Sequence, residues 1–286
     1  MILSIVVVSF NTRETLERTL AAASDDAAPL DSEIIVIDNA STDGSARAVR
    51  ERFPDVRLVA NPENRFYSAA NNQGLALARG RWVLVLNPDA SIGRGTLPAM
   101  VEALDARPEV GIASCRLTWP DGTVQRNCSE ERSFLTLLLE HTPLGFLLAP
   151  LRARLEAREW YASWDRESER EVGVLPGSLL FVRREAIASV GGLDERLRLY
   201  FAEDDWCRRF REAGHGVRYL PIGAVVHPEG ASVRQTPRAA RRIFFEDLVR
   251  YTEMRFGRSR ARLLSLLAWP LGAALDLSGR LRGETA

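Results

Sequence analysis

The sequence predicts an α/β protein: a doubly wound, mostly parallel sheet with helices on both faces, followed by a C-terminal helical tail. Two observations carry this expectation. Short apolar runs alternate with helical patterns through the first half of the chain, the element order that produces a parallel sheet covered on both sides. The 286 residues are 46% hydrophobic and 27% charged, which is enough apolar material for a substantial core.

In chain order, the run 3–9 reads as the first strand. Its apolar opening resembles a targeting segment, but it has no basic leader and passes directly into Asn11-Thr12-Arg13-Glu14. A helix over 12–23 follows, then strand 33–38, helix 45–52, strand 56–60, helix 68–78 and strand 82–86, so that four buried strands are expected. Next come a helix at 95–106 and a strand at 110–114. Turn chemistry at Trp119-Pro120-Asp121-Gly122 interrupts the alternation. The stretch 134–151 is strongly apolar but broken by Glu140, His141, Pro143 and Pro150, too interrupted to span a bilayer. It reads either as a lid facing membrane or acceptor, or as a pair of core helices. A strand at 178–182, a helix from Arg184, a helix over 204–213 and a strand at 217–220 complete the regular part.

Thirty-eight basic residues, all arginine, balance 38 acidic ones, and this neutrality argues against a dedicated nucleic-acid binder. Cys115, Cys128 and Cys207 show neither disulfide nor zinc spacing and fit a reducing cytosol. From Arg234 onward Arg outnumbers Asp plus Glu by about two to one. Within 258–282 an apolar segment containing Trp269 is flanked by Arg, a composition suited to an anionic membrane surface; packing on the domain is the alternative.

In doubly wound sheets ligands settle at the carboxyl ends of the strands, so the loops after Ser9, Ile37 and Leu86 are the places to look for chemistry. Asp38-Asn39-Ala40-Ser41-Thr42-Asp43-Gly44-Ser45 begins where the second strand ends. A carboxylate there can accept from a base or ribose, and the following helix N-terminus suits anions. Capping alone would explain Thr42, Asp43 or Ser45, but it does not require Asp38. No Gly-x-Gly-x-x-Gly follows the first strand, which weakens any dinucleotide reading. Asn87-Pro88-Asp89 is by itself an ordinary turn, yet its carboxylate leaves the same rim and is a candidate ligand for a hard cation such as Mg²⁺ or Mn²⁺ that would meet a diphosphate. Glu203-Asp204-Asp205 opens a helix. These acids either complement its dipole or, by crowding, raise the proton affinity of one of them as a general base requires. His227, followed by Pro228-Glu229-Gly230, becomes a metal ligand only if it lies near Asp89.

Taken together and in this order, these segments resemble the family 2 inverting glycosyltransferases of the GT-A fold, especially bacterial rhamnosyltransferase-like members. The resemblance rests on Ser4 through Asn11, Asp38 through Ser45, Asn61-Pro62-Glu63-Asn64, Ala69-Ala70-Asn71-Asn72-Gln73-Gly74, Leu86-Asn87-Pro88-Asp89, Gly177-Ser178, Arg183-Arg184, Gly191-Gly192-Leu193-Asp194-Glu195, the acidic cluster and His227. It implies a catalytic domain over 1–230, with a nucleotide-binding half 1–115 and an acceptor half 116–230, and a basic, apolar extension over 231–286. It further implies that Ser9, Asn11, Asp38, Asn39, Asn64, Asn71, Asn87 and Asp89 bind the donor, that Gly177 and Ser178 meet the acceptor, and that Asp89 and His227 hold Mg²⁺ or Mn²⁺. The base would come from the acidic cluster: Asp204 is favoured, Glu203 occupies the usual base position counted back from Trp206-Cys207, and Asp205 is a candidate acceptor contact. Two segments depart from the family pattern: Arg65-Phe66-Tyr67 stands where Leu-Gly-Phe is usual, and the acidic cluster is compressed. The implied activity is single displacement from a nucleoside-diphosphate sugar, dTDP-rhamnose first and a UDP-sugar second, to a glycan or lipid-linked acceptor of the cell surface. The implied location is the cytoplasm, at the inner face of the membrane if the tail binds there. A non-catalytic sugar-nucleotide or glycan-binding protein of the same fold is the alternative.

Overall fold

The computed structural model describes residues 1–228 and 237–281. An eight-stranded sheet forms the centre, in the order β3-β2-β1-β4-β9-β6-β10-β8. Its strands are β1 (Leu3–Ser9), β2 (Ser32–Asp38), β3 (Arg57–Ala60), β4 (Trp82–Leu86), β6 (Val110–Ser114), β8 (Arg170–Glu171), β9 (Leu179–Arg183) and β10 (Gly216–Tyr219). Pairing is parallel from β3 through β4 and between β6 and β10; β9 lies antiparallel between β4 and β6, and β8 is antiparallel to β10. The predicted mostly parallel α/β layout is therefore present. Three of the four expected buried strands are buried throughout or nearly so, whereas β3 is the sheet edge and stays half-exposed because it has a neighbour on one side only.

Strand alternation divides the apolar residues between two cores. Leu3, Ile5 and Val7 of β1 face α1 (Arg13–Ala27) and α4 (Thr96–Asp105), packing with Leu16, Leu20, Leu97 and Met100. Val6 points to the other face, where α3 (Phe66–Leu77) contributes Ala70 and α9 (Ala202–Glu212) contributes Trp206 and Phe210. The tail joins this second core: α10 (Pro237–Phe256) buries Leu248 and Tyr251, and α11 (Arg258–Leu281) buries Leu264. Each such side chain contributes about 1.5–3 kcal/mol, so both tail helices are fastened to the body. Glu229 and Gly230, the junction at 230–231, Arg234 and Arg282 lie outside the described residues.

The remaining helices are α2 (Ser45–Arg52), α5 (Phe134–His141), α6 (Leu144–Leu147), α7 (Ala149–Glu159) and α8 (Arg184–Val190). A second, three-stranded sheet joins β5 (Ser91–Ile92), β11 (Val225–Val226) and β7 (Leu117–Thr118). β11 falls in the strand-like run Ala224-Val225-Val226, whereas the two-residue strands β5 and β7 carry no readable period in the sequence.

Candidate functional site

Parallel strands that share a register end together. Ser9 pairs with Asp38 and Val7 with Leu86, so the loops leaving β1, β2 and β4 rise from one edge of the sheet. Because β9 is antiparallel to β4, with Leu179 opposite Leu86, its incoming segment Gly177-Ser178 meets the same edge. The Asn87 amide donates to the Ser178 carbonyl at 2.9 Å. Asn11 and Ala40 on loops of this edge, Phe66 at the first position of α3 and Phe201 at the cap of α9 have φ of 51°, 63°, 60° and 63°. Left-handed backbone costs a non-glycine residue roughly 1–2 kcal/mol, and strain of this kind gathers at ligand-binding loops.

The candidate donor residues divide by what engages their polar atoms. Ser9 shares a 3.0 Å hydrogen bond with the Thr12 hydroxyl. Asn11 Oδ1 accepts from the Thr42 amide at 2.7 Å and so ties the first loop to the second. Asn39 braces the third: its Nδ2 donates to the Phe66 carbonyl at 3.0 Å, and its Oδ1 accepts from Asn61 Nδ2 at 3.1 Å. Asn64 Oδ1 accepts from the Phe66 amide at 2.8 Å, a local turn bond. These residues build the rim. Asp38 and Asn71 differ: Asp38 Oδ2 accepts from the Ser41 amide at 3.0 Å and Asn71 Nδ2 donates to the Tyr67 carbonyl at 2.9 Å, but Asp38 Oδ1 and Asn71 Oδ1 are buried with no hydrogen bond. A buried acceptor left open is costly unless something fills it, which marks both as sites for a donor N–H or O–H.

The second sheet delivers His227. β11 pairs with β5, which follows Asp89 closely in sequence, and this pairing sets His227 Nε2 3.2 Å from Asp89 Oδ1 with both residues buried. The same Nε2 lies 3.3 Å from Asn87 Nδ2. The 3.2 Å between the imidazole nitrogen and the carboxylate oxygen is close to the separation of adjacent ligands of an octahedral ion bound at about 2.1 Å, roughly 3 Å, so this pair could hold one divalent cation between them. Among the described residues no cluster of three His, Cys, Asp or Glu side chains forms a complete metal cage, so the remaining ligands of a bound ion would be substrate and water.

The acidic cluster sits in the first turn of α9, two residues earlier than the helix start expected from the sequence. Its three members have different surroundings. Asp205 is enclosed by Arg208 at 2.6 Å and Arg209 at 2.7 Å, and Arg209 also donates to the Val190 and Gly192 carbonyls. This arrangement anchors the Gly191-Gly192 loop and engages both oxygens of Asp205, so its carboxylate is not presented to an acceptor. Asp205→Asn is accordingly expected to lower stability by about 3 kcal/mol, the scale of breaking a buried ion pair, while the folded fraction keeps its donor affinity. Urea unfolding together with nucleotide binding checks this.

Asp204 is 4% exposed and faces Arg132, whose Nε is 3.7 Å away and also 3.3 Å from Glu159. The Arg132 guanidinium lies over the Phe201 and Trp160 rings, at 5.4 and 5.9 Å from their centroids. Glu203 alone of the three is partly open. It faces the Gly177 backbone so closely that a Cβ added there would stand 3.2 Å from its Oε1, and the Tyr67 hydroxyl donates to the Gly177 carbonyl beside it at 2.7 Å. Desolvation first, and then the charge of Asp204, push the Glu203 carboxyl up to about 7; burial raises Asp204 as well. Sequence reading missed Arg132, which lies in an aperiodic segment without a signal. It also missed Tyr67, whose only mark was the unusual Arg65-Phe66-Tyr67.

Comparison with known proteins follows the same lines. The family model described as Glycosyl transferase family 2 matches residues 4–189, most of the chain. The N-acetylglucosaminyl-diphospho-decaprenol L-rhamnosyltransferase of Mycobacterium tuberculosis is 32% identical over 251 residues, covering 82% of this chain and 79% of that one. The O-antigen biosynthesis protein RfbC of Myxococcus xanthus is 28% identical over 80% of this chain but only 17% of its own length. Among solved structures, the mannosyltransferase PcManGT from Pyrobaculum calidifontis in complex with GDP-Man and Mn²⁺ superposes with a TM-score of 0.58 at 22% identity, over 98% of this chain and 75% of that one. S. aureus TarS 1-349 in complex with UDP-GlcNAc gives 0.53 at 13% identity, over 93% and 70%. The structural likenesses speak for the fold; the family model covers the very strands whose ends carry Asp38, Asn87 and Asp89, and on its evidence, with that of the mycobacterial relative, the chain belongs to glycosyl transferase family 2.

Proposed function

We propose that the protein is an inverting glycosyltransferase that moves a sugar, rhamnose from dTDP-rhamnose in the first place and a UDP-linked sugar in the second, to a lipid-linked or glycan acceptor during cell-surface polysaccharide synthesis. The observation that carries this reading is the placement of one partly open carboxyl of raised proton affinity, Glu203, against the same rim segment, Gly177-Ser178, that touches the Asn87 loop. The name of the mycobacterial relative supports the choice of rhamnose and of a lipid-diphosphate acceptor.

In this mechanism Glu203 takes the proton of the acceptor hydroxyl as the oxygen bonds to the anomeric carbon; the bond from that carbon to the diphosphate oxygen breaks on the opposite face, and configuration inverts. Asp38 Oδ1 accepts from the nucleobase or ribose, and Asn71 Oδ1 from a donor hydroxyl. Gly177 leaves room for the acceptor beside Glu203, since any side chain there would meet the carboxyl. Asp89 and His227 would hold Mg²⁺ or Mn²⁺, which when bound neutralises charge on the diphosphate. Asp204 departs from the base role favoured by the sequence: it is closed in behind Arg132 and acts on Glu203 through its charge. Thermal shift and diphosphate release across a panel of nucleotide sugars, with Mg²⁺ and Mn²⁺, test the reading; stabilisation without diphosphate release in the presence of any acceptor would make the protein a binder.

The reading includes peripheral contact with an anionic membrane at its cytoplasmic face. Among the described residues no helix is long and apolar enough to cross a membrane, yet Phe146, Leu147, Leu266 and Trp269 are each more than 70% exposed. Leu263, Leu266 and Trp269 recur every three residues along α11, opposite the buried Ala261, Leu264 and Ala268. Replacing Leu266 and Trp269 by Ser is expected to weaken sedimentation with anionic vesicles about a hundredfold, given roughly 1.5 kcal/mol or more per apolar side chain withdrawn from water. Unchanged sedimentation would remove the membrane from the proposal.

A further inference from the structure

The helix that carries Glu203 starts without a side-chain cap. Phe201 stands at the N-cap of α9 with φ of 63° and offers no side-chain hydrogen bond to the first turn. A non-glycine residue persists in that left-handed conformation only where its surroundings over-determine it. Here the surroundings come from the C-terminal extension. Asp247 of α10, 1% exposed, accepts with its Oδ2 from the Leu199 amide at 2.9 Å and from the Tyr200 amide at 3.0 Å. The Phe201 ring stacks on Tyr251 with centroids 5.2 Å apart and lies 5.5 Å from Phe244, while Tyr200 meets Phe244 edge-on at 5.1 Å. Arg198 also pairs with Glu246 of α10.

The same segment holds the wall that Glu203 faces. The Arg198 carbonyl accepts from the Tyr67 amide at 2.9 Å and from the Ser68 amide at 3.3 Å, and Ser68 Oγ donates to the Leu197 carbonyl. Residues 197–198 thereby satisfy first-turn amides of α3 that have no intrahelical acceptor. Tyr67 in turn donates its hydroxyl to the Gly177 carbonyl. Segment 197–201 therefore sets two positions at once, that of Glu203 at the start of α9 and that of Tyr67 beside Gly177, and α10 fastens the segment. Packing alone does not call for this polar contact, because Leu248 and Tyr251 already bury α10 in the core. Asp247 adds direction: two consecutive backbone amides are turned to one buried carboxyl oxygen.

We infer that Asp247 is a positioning residue for transfer: by holding the Leu199 and Tyr200 amides it fixes the entry of α9 and keeps the Glu203 carboxyl against Gly177, which makes the C-terminal extension part of the catalytic unit. The inference rests on the transferase reading for the part that Glu203 plays, but the placement of Glu203 is measured without turnover. The charged and titratable groups that face its carboxyl are Asp204 and Cys207 of its own helix, Arg132 from the loop before α5, and Tyr67 of α3. A substitution at Asp247 removes none of them, so a moved Glu203 titration reports a changed enclosure. Full-length wild type, Asp247→Ala and Asp247→Asn are compared in kcat, donor KM, nucleotide binding and the NMR titration of the Glu203 carboxyl, identified by its absence from Glu203→Gln. In Asp247→Ala two amides lose their acceptor, and kcat is expected to fall about a hundredfold, the scale of a small misplacement of a catalytic group. Donor KM and nucleotide binding stay near wild type, because Asp38 and Asp89 follow β2 and β4. Burial is the first cause of the raised proton affinity of Glu203, so in Asp247→Ala its midpoint falls from about 7 toward the ordinary carboxylate range. Asp247→Asn keeps an oxygen that accepts both amides and recovers both readouts. Wild-type kcat and midpoint in Asp247→Ala overturn the inference, as does a lowered kcat with an unmoved midpoint and no recovery in Asp247→Asn, the behaviour of a packing residue. If Asp247→Ala does not fold, Asp247→Ser, whose hydroxyl stops short of the amides, is put through the same assays and the same outcomes decide. Absence of transfer by wild type to every acceptor, with the Asp247-dependent midpoint still present, sinks the transferase reading and leaves the placement of Glu203 by Asp247 standing.

Discussion

Replacing Glu203 by Gln is expected to reduce turnover by about a thousandfold, within the range that a positioned general base contributes, while leaving donor affinity as it was. The substitution keeps the shape of the side chain beside Gly177 and removes only its capacity to take a proton. A pH profile separates this from a loss of packing. A general base acts in its unprotonated form, so wild-type kcat/KM rises with pH through about 7, where burial and the Asp204 charge have pushed the Glu203 carboxyl. In Glu203→Gln that rise disappears. The two acids titrate as a coupled pair, so Asp204→Asn is informative in the other direction: removing the repelling charge eases ionisation of Glu203 and moves the midpoint of the rise to lower pH, with turnover at neutral pH changed little. If Asp204→Asn abolishes turnover and Glu203→Gln does not, the base is Asp204.

How far this site could be read from the sequence depends on what kind of signal each part leaves. The strands β1, β2 and β4 are short apolar runs bounded by polar loops, and their shared edge follows from parallel pairing, so the common rim onto which the segments of Asp38 and Asp89 lead is legible in the sequence. The direction of β9 was not legible, because an apolar run looks the same in either orientation, and that direction is what brings Gly177 to the rim. Adjacency in the acidic cluster concealed its division of labour. Glu203, Asp204 and Asp205 are consecutive on a helix and so point about 100° apart, which sends one toward Gly177, one toward Arg132 and one toward Arg208 and Arg209. Arg132 itself reaches the cluster from a loop far away in sequence, a tertiary contact with no local trace. The stretch 134–151, expected either as a lid facing membrane or acceptor or as a pair of core helices, contains both buried and exposed apolar residues: Leu137 and Leu139 are buried while Phe146 and Leu147 are exposed.

Asp89→Ala is expected to lower kcat/KM by about three orders of magnitude in the presence of Mg²⁺ or Mn²⁺, the scale of several kcal/mol that a cation at the leaving group supplies. The structural ground is the buried pair of Asp89 and His227 beside Asn87, whose Oδ1 and Nε2 stand 3.2 Å apart, close to the separation of adjacent ligands of one ion. If a cation sits between them, the defect of Asp89→Ala must depend on metal: with the metal chelated, wild type and variant should converge on the same residual rate, and Mn²⁺-dependent tightening of the nucleoside diphosphate, read by calorimetry, should be lost in the variant. His227→Ala removes the nitrogen ligand and leaves the carboxylate, so its loss is expected to be smaller and partly recovered at high Mn²⁺. The unfolding midpoint of Asp89→Ala is measured alongside, because Asp89 is buried beside His227 and the metal dependence of the defect is what separates lost chemistry from lost packing. Full metal-stimulated turnover in a folded Asp89→Ala protein would return Asn87-Pro88-Asp89 to what it is by composition, a turn, and would leave Glu203 and Asp38 to carry the chemistry without it.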